Sequence, residues 1–332
     1  MPLGYLPDVV EAVAARRALP RPAIARIAAT LVAAAGMAAP ASSAEALAPT
    51  VVAPGVYVLP GQGGEIGATQ AGRVANVAFV VGPRGVVVID SGASRREGDD
   101  IIAAVASATR KPVRLLVLTH AAQEVVFGAA AFQARGIPVL MHRNAAALMA
   151  ARCDGCLARL REIMGDDFMS GSRVVSPDRL VERTTSLDVI GRPLRIVVPA
   201  DPSRVGMLAV LDVTTGTLMA GNLVSIGRIP DLRDTAGEGW PDALASLAGT
   251  RCAHLVPAYG RLGNCADIAL LDRYFAALDQ RVRELLREGV GLAELAARCE
   301  LPRFASWDRY PDLHMQNANR AYLRLERGLF LN

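Results

Sequence analysis

Short apolar runs bounded by glycine, proline and aspartate recur along this chain, and they predict two groups of β-strands. The first group lies at residues 55–60, 74–81, 85–89, 113–118 and 138–141. The second group lies at residues 174–181, 186–189, 194–198, 207–213, 217–220 and 254–257. Many of these runs are apolar at successive rather than alternate positions, which is typical of strands that are covered on both faces.

Apolar residues with helical spacing follow each group of strands. The predicted helices lie at residues 98–108, 129–135, 144–164, 240–247, 266–288, 291–299 and 317–330. We expect the segment 144–164 to be broken at Asp154-Gly155, because glycine disfavours a helix interior. Two β-rich stretches that each give way to helices predict an α+β fold, and a four-layer α/β/β/α sandwich is the most economical arrangement.

The N-terminal part of the chain has the anatomy of an export signal. Arginines precede an apolar run at residues 27–39, and small residues follow this run up to Ala44. A run this short is too weak for a membrane-spanning helix, so a signal peptide is favoured over an amphipathic or buried helix. We therefore expect a signal peptide at residues 1–44, a linker at 45–54 and one domain at 55–332, located in the periplasm or secreted.

Charge narrows the range of partners. The formal net charge is +4, and four arginines against two acids contribute +2 of it within residues 1–44. The remaining +2 is too small for a nucleic-acid-binding surface, so no nucleic-acid partner is expected. No later segment is apolar over a sufficient length to span a bilayer, so the protein is not expected to be an integral membrane protein.

If the chain is exported, its five cysteines are available for disulfides, because disulfides form in oxidising compartments. The disulfide candidates are Cys153 with Cys156 and Cys252 with Cys265, and a local Cys153–Cys156 disulfide is favoured. The first pair has two other interpretations, a redox pair and a structural zinc site. A redox pair of the thioredoxin type would follow a strand, and no such strand precedes this motif. A structural zinc site would need two further ligands, and none is identified in the sequence. Cys299 remains, and we expect it to be buried in a helical segment.

A series of short motifs is shared with one known family. These motifs are Val86-Val-Val-Ile-Asp90-Ser-Gly92, Leu118-Thr-His120, Gly128…Phe132…Gly136…His142, Ala220-Gly-Asn222-Leu and Pro257-Ala-Tyr-Gly260. Together they resemble the metallo-β-lactamase superfamily. Stretches such as Cys153-Asp-Gly-Cys156-Leu and Trp307…Tyr310…His314 are similar to exported quinoprotein relay system zinc metallohydrolases and to sulfur-oxidation-type glyoxalase-like proteins. The resemblance covers residues 52–330 and implies zinc as the family's cofactor and an exported quinoprotein or cytochrome as a partner.

The resemblance also implies where zinc ligands would lie. The family holds one or two zinc ions through a T-H-x-H-x-D-H turn, a later histidine, a bridging aspartate and a final histidine. The matching positions in this chain are His120, Ala122, Glu124, Val125, Ser203, Asn222 and Tyr259. Only His120 is identical and only Glu124 is a conservative acid, whereas alanine and valine cannot ligate a metal and asparagine and tyrosine ligate zinc poorly. We therefore expect a degenerate centre with no resident cofactor, and a weakly bound metal at His120 and Glu124 is the alternative.

Two functions are compatible with such a cleft. The first is a non-catalytic accessory or ligand-binding protein, in which Tyr259, Asn222 and Ser203 form a hydrogen-bonding pocket for a small molecule, acting near an exported quinoprotein dehydrogenase. The second is a hydrolase of a thioester, ester or lactone, either metal-independent or with one ion at His120 and Glu124. Glu124 would be a general base if the cleft raised its pKa. The catalytic residues stay unassigned, because no G-x-S-x-G elbow is present.

Overall fold

The computed structural model describes residues 47–199, 205–233, 239–250 and 252–330. The signal peptide expected at residues 1–44 lies outside the described residues, and so does Ser203. The described residues all belong to one compact unit that spans residues 45–332.

The first sheet has seven strands in the order β1-β2-β3-β4-β5-β6-β7. They are β1 Thr50–Ala53, β2 Val56–Leu59, β3 Val77–Gly82, β4 Gly85–Ile89, β5 Val113–Leu118, β6 Val139–His142 and β7 Arg179–Val181. Neighbours are antiparallel from β1 to β4 and parallel from β4 to β7. Strand β1 corrects the assignment of residues 45–54 to a linker, because its backbone pairs with β2.

The second sheet has five strands in the order β12-β11-β10-β9-β8. They are β8 Thr185–Leu187, β9 Leu194–Val197, β10 Ala209–Asp212, β11 Thr217–Ile226 and β12 His254–Gly260. Only the β11–β12 pair is parallel. Because β11 is interrupted by register shifts on either side of its central residues, its backbone can bend where it borders the cleft described below.

Helices cover the outer face of each sheet. They are α1 Arg95–Ala108, α2 Gln123–Val126, α3 Ala129–Gln133, α4 Arg143–Met164, α5 Trp240–Ala248, α6 Ile268–Arg287, α7 Leu292–Arg298 and α8 Met315–Phe330. A first core cluster lies beneath α1, α3 and α4, a second lies beneath α5 to α8, and a third lies between the sheets. The mixed α+β, α/β/β/α arrangement predicted from the sequence is therefore confirmed.

Helix α4 runs without the break that was predicted at Asp154-Gly155. One face of the helix is buried against the first core, and it carries Met149, Cys153 and Leu160. Gly155 lies on the opposite, exposed side, with open space where a Cβ atom would lie. Its cost of about 1 kcal/mol is therefore outweighed by the packing of the buried face. The prediction failed because tertiary packing overrides local propensity.

Only one disulfide is present among the described residues, and it joins Cys252 to Cys265. The favoured disulfide between Cys153 and Cys156 is not formed, and Cys156 carries a free thiol. Residues three apart on a helix have Cβ atoms about 5–6 Å apart, whereas a disulfide needs about 3.5–4.5 Å, so the intact helix disfavours the bond. Cys299 is fully buried, as expected. Within the described ranges, no helix is long and apolar enough to cross a membrane.

Candidate functional site

A cavity of about 130 Å³ lies where the loop after β5 meets β11 and β12. Five of the seven positions predicted from the sequence line it, namely His120, Ala122, Glu124, Asn222 and Tyr259. Val125 does not line the cavity, because its side chain is completely buried in the first core. The seventh position, Ser203, lies outside the described residues.

The hydrogen-bond network that reaches the cavity begins at Asp90, which follows β4 and has a positive φ of 66°. Its Oδ1 accepts the backbone N–H of Thr119 at 2.8 Å, and its Oδ2 lies 2.8 Å from the Thr119 hydroxyl. Burial raises the pKa of Asp90 to about 7, although the hydrogen bonds from Thr119 act in the opposite direction. The aspartate therefore ties the ends of β4 and β5 together and is poised to carry a proton.

His120 is fixed at both ring nitrogens. Its Nδ1 lies 2.7 Å from the Thr119 hydroxyl, and its Nε2 lies 3.3 Å from the Tyr259 hydroxyl. The side chain is buried, and this burial lowers its pKa to about 3. The imidazole is therefore neutral at physiological pH, and each nitrogen already has a hydrogen-bonding partner.

Tyr259 connects His120 to the loop acid. Its hydroxyl donates to Oε1 of Glu124 at 2.9 Å. Burial, reinforced by the charge of Glu124, raises the pKa of Tyr259 well above its ordinary value. Arg228 stacks on the ring with its guanidinium carbon 4.6 Å from the ring centre, and it also donates to the carbonyl of Gly64 and to Asp308. Nothing in the sequence motifs singled out Arg228, because its role depends on contacts with residues distant in the chain.

The hydrogen bonds form one chain from Asp90 through Thr119, His120 and Tyr259 to Glu124. Each hydroxyl has a single hydrogen and two partners, so only two arrangements satisfy the whole chain. With Glu124 ionised, Tyr259 donates to it, the Nε2–H of His120 donates to Tyr259, Thr119 donates to Nδ1, and Asp90 is protonated. With Asp90 ionised, every bond reverses and Glu124 is protonated. The raised pKa of Asp90 favours the first arrangement.

Two of the remaining predicted positions have structural roles. Ala122 precedes the short helix α2, which carries Glu124 towards the cavity. The carbonyl of Val125 accepts both the backbone N–H and the hydroxyl of Ser91, at 3.1 and 2.6 Å. Val125 thus anchors this helix to the loop after β4. Asn222 sits within β11, and its half-buried side chain reaches the cavity wall.

Sequence reasoning did not predict the rest of the cavity wall. Its apolar members are Ala121, Leu148, Val205, Met207 and Trp240, and its polar members include Arg152, Arg233, Asp231 and the two cysteines of α4. A second cavity of about 260 Å³ shares Gln123, Glu124, Asp231 and Arg233 with the first. This second cavity is lined mostly by charged side chains, including Arg159, Arg228 and Arg309. The cleft therefore has an apolar part and a charged part that meet at Glu124.

The donor set does not fit a dinuclear zinc centre. The Tyr259 hydroxyl lies between His120 and Glu124, where an ion shared by those two side chains would have to sit. Zinc needs three or four converging imidazole, thiolate or carboxylate donors. Within residues 47–199, 205–233, 239–250 and 252–330, no three His, Cys, Asp or Glu side chains converge in this way. An ion at this position would have to displace the tyrosine.

The two-sheet sandwich, with a histidine at the end of β5 and the cleft at the strand ends, defines a metallo-β-lactamase fold. Residues 71–277 match the family described as the metallo-beta-lactamase superfamily, and the chain belongs to this superfamily. A comparison with curated protein sequences gave no match.

Solved structures share the fold. A metallo-beta-lactamase from Pontibacter korlensis has a TM-score of 0.55 at 19% identity, over 68% of this chain and 96% of its own. The metallo-beta-lactamase FIM-1 from Pseudomonas aeruginosa, in its mono-zinc form, has a TM-score of 0.52 at 17% identity, over 68% and 92%. A double mutant of the sec-alkyl sulfatase PisA1 has a TM-score of 0.64 at 15% identity, over 84% of this chain and 50% of its own.

Proposed function

We propose that this protein binds a small organic molecule in the cleft and does not carry out zinc-dependent hydrolysis. One observation carries the proposal. The side chains at the positions of zinc ligands hydrogen-bond to each other, because Tyr259 bridges His120 and Glu124. A closed network of this kind presents a fixed polar surface to a ligand and leaves neither imidazole nitrogen open to a metal.

The composition of the wall indicates the kind of ligand. Leu148, Met207 and Trp240 offer an apolar surface, while Asn222 and the Tyr259–Glu124 pair offer hydrogen-bonding groups. Small-molecule sites are mostly apolar, with a few polar groups that fix orientation. A compact molecule with an apolar body and one hydroxyl or carbonyl group fits this division.

Zinc content and binding test the proposal together. Purified protein is equilibrated with zinc, passed through a desalting column and analysed for metal, then assayed for hydrolysis of thioesters, esters and lactones. We expect far less than one zinc per chain and no hydrolysis above that of a Glu124→Gln variant. Calorimetry with small alcohols and ketones should show saturable binding that weakens in Asn222→Leu. One tightly held zinc per chain, or no binding by any probe, would contradict the proposal.

A second function is supported by the same hydrogen bond. Glu124 contacts the Tyr259 hydroxyl at the edge of the cavity, which is a suitable position for a general base that acts on water or a substrate. Under this alternative, thioester, ester or lactone hydrolysis persists without added metal and is lost in both Glu124→Gln and Tyr259→Phe. Hydrolysis that depends on added metal and is lost in His120→Ala would instead support a single weakly held ion.

The location and the partner follow from the proposed export signal and the resemblance described above. We propose that the protein works in the periplasm or outside the cell, as an accessory to a quinoprotein dehydrogenase or cytochrome. Fractionation of cells that carry a tagged chain tests the location, and N-terminal sequencing of the exported form tests cleavage after Ala44. Retention of a quinoprotein dehydrogenase on the immobilised protein would support the partnership, and retention that is equal on an unrelated exported protein would argue against it.

A further inference from the structure

Two thiols on the wall of the cleft take no part in the proposed ligand site. Cys153 and Cys156 lie three residues apart in α4, and both line the cavity. Cys153 is almost fully buried, and Cys156 is half-buried with a free thiol. A third sulfur-bearing residue, Met207, lines the same cavity. Three sulfur-bearing side chains therefore border one small cavity.

The spacing of the two cysteines suits one shared ion. Side chains at positions i and i+3 of a helix are neighbours, with Cβ atoms about 5–6 Å apart. This distance is too long for an unstrained disulfide. Two sulfur atoms on the same face of one helical turn can coordinate an ion between them without unwinding α4.

We propose that Cys153 and Cys156 form a binding site for a soft monovalent cation, Cu(I), with the thioether of Met207 as a third donor. Thiolate and thioether sulfurs select Cu(I), which is satisfied by two or three such donors. Zinc needs four ligands at a structural site, and the described part of this wall does not supply them. This site shares the cavity and Met207 with the organic-ligand site proposed above, but neither cysteine is assigned to that ligand or matches a zinc-ligand position of the family.

The binding step balances without an oxidant or a reductant. Each thiol releases one proton to the solvent, two Cu–thiolate bonds and one Cu–thioether bond form, and the bound unit carries a net charge of −1. Arg152, adjacent to Cys153 in the chain, lines the same cavity. Its positive charge lowers the cost of placing that negative charge at the cleft wall.

Competition for Cu(I) tests the site. Protein reduced with a phosphine under anaerobic conditions is titrated into the coloured complex of Cu(I) with bicinchoninate, and the loss of colour reports transfer of the ion. We expect the wild-type chain and Cys299→Ser each to withdraw at least one Cu(I) per chain. The Cys252→Ser/Cys265→Ser variant, in which the phosphine cannot release two further thiols from the disulfide, should withdraw one. Loss of a group that only hydrogen-bonds to a metal ligand weakens metal binding roughly 10–100-fold. Cys156→Ser removes a ligand itself, so it should weaken Cu(I) binding by more than this. Met207→Leu should weaken it less.

Two outcomes overturn the proposal. One is a wild-type chain that withdraws no Cu(I), and the other is withdrawal that persists undiminished in Cys156→Ser. Because Cys156 is half-buried, this single variant is expected to fold, which unchanged thermal unfolding would verify. X-ray absorption of the copper-loaded protein should show only sulfur neighbours, and nitrogen neighbours would place the ion at His120 instead. Organic-ligand binding by Cys156→Ser is measured separately, so failure of one proposal leaves the other standing.

Discussion

The Tyr259 hydroxyl donates a 2.9 Å hydrogen bond to Oε1 of Glu124, although the two residues are 135 positions apart in the chain. Both occupy positions that match zinc ligands of the superfamily, and here they contact each other directly. The contact ties β12 to α2, and the same hydroxyl lies 3.3 Å from Nε2 of His120. In this chain, hydrogen bonds hold together the two sides of the cleft.

Removal of the Tyr259 hydroxyl should destabilise the protein. In Tyr259→Phe, Nε2 of His120 and Oε1 of Glu124 lose a common partner within a buried network, and we expect a loss of about 1–3 kcal/mol in the free energy of unfolding. Urea denaturation measures the difference. Tyr57→Phe is the matched control, because Tyr57 is half-buried and stacks on Phe79. An equal effect of both substitutions would mean that the network contributes nothing beyond packing.

The buried carboxyl of Asp90 should give a specific pH dependence. Its folded-state pKa of about 7 lies above its ordinary value of 3.8, so its contribution to stability is complete below pH 3.8 and is lost as the pH rises to about 7. Within that window the wild type should lose on the order of 1.4 kcal/mol per pH unit relative to Asp90→Asn.

Only the difference between wild type and Asp90→Asn isolates this effect. The lowered pKa of His120 acts in the opposite direction, since its contribution is present above pH 6.5 and is lost as the pH falls towards 3. Chemical denaturation of both proteins at a series of pH values provides the comparison. A difference that stays constant between pH 4 and 7 would show that folding does not raise the pKa of Asp90.

The close approach of the sheets at Gly221 should not tolerate a side chain. Gly221 has a φ of +54°, and a Cβ atom there would lie 2.5 Å from the side chain of Thr119. We expect Gly221→Ala to cost about 3 kcal/mol, from left-handed strain and overpacking together. Gly227→Ala is the control, because Gly227 has a φ of +75° and open space around it, so that only about 1–2 kcal/mol of strain remains. Thermal unfolding compares the two variants, and equal losses would exclude the steric contact.

The disulfide between Cys252 and Cys265 should stabilise the second sheet. It closes a loop of 13 residues next to β12, and a loop of this size corresponds to about 3 kcal/mol in the chain-entropy account. Cys252→Ser/Cys265→Ser should therefore unfold at lower denaturant than the wild type, whereas the wild type treated with a reductant should match the variant. No change in the unfolding midpoint would mean that strain in the folded state offsets the gain.

The fold was readable from the sequence because buried strands leave continuous apolar runs and glycine marks the turns between them. The extent of β11 was not readable, since Gly221 and Asn222 interrupt the apolar run while the backbone continues in the sheet through Ile226. The unbroken α4 was missed because its packing on the first core outweighs the single exposed Gly155.

The candidate site was predictable only where positions in the chain match known motifs. His120, Asn222 and Tyr259 were placed in one cleft by their order along the chain, and the structure brings them to the same cavity. Trp240 and Arg228 could not be placed in this way, because each reaches the site through contacts between distant elements. The hydrogen-bond chain was also inaccessible, since it depends on distances of about 3 Å that no motif encodes.

The contacts of Arg228 make the final shape of the cleft depend on the order in which parts of the chain fold. It stacks on Tyr259, donates to the carbonyl of Gly64, and forms an ion pair with Asp308, so its partners span residues separated by 244 positions. Contacts between such distant residues form late, because the closure of long loops must come first. The cleft therefore takes its final shape only after the loop before β3 and the segment before α8 have both docked. During folding, competence to bind a ligand would be among the last properties that this chain acquires.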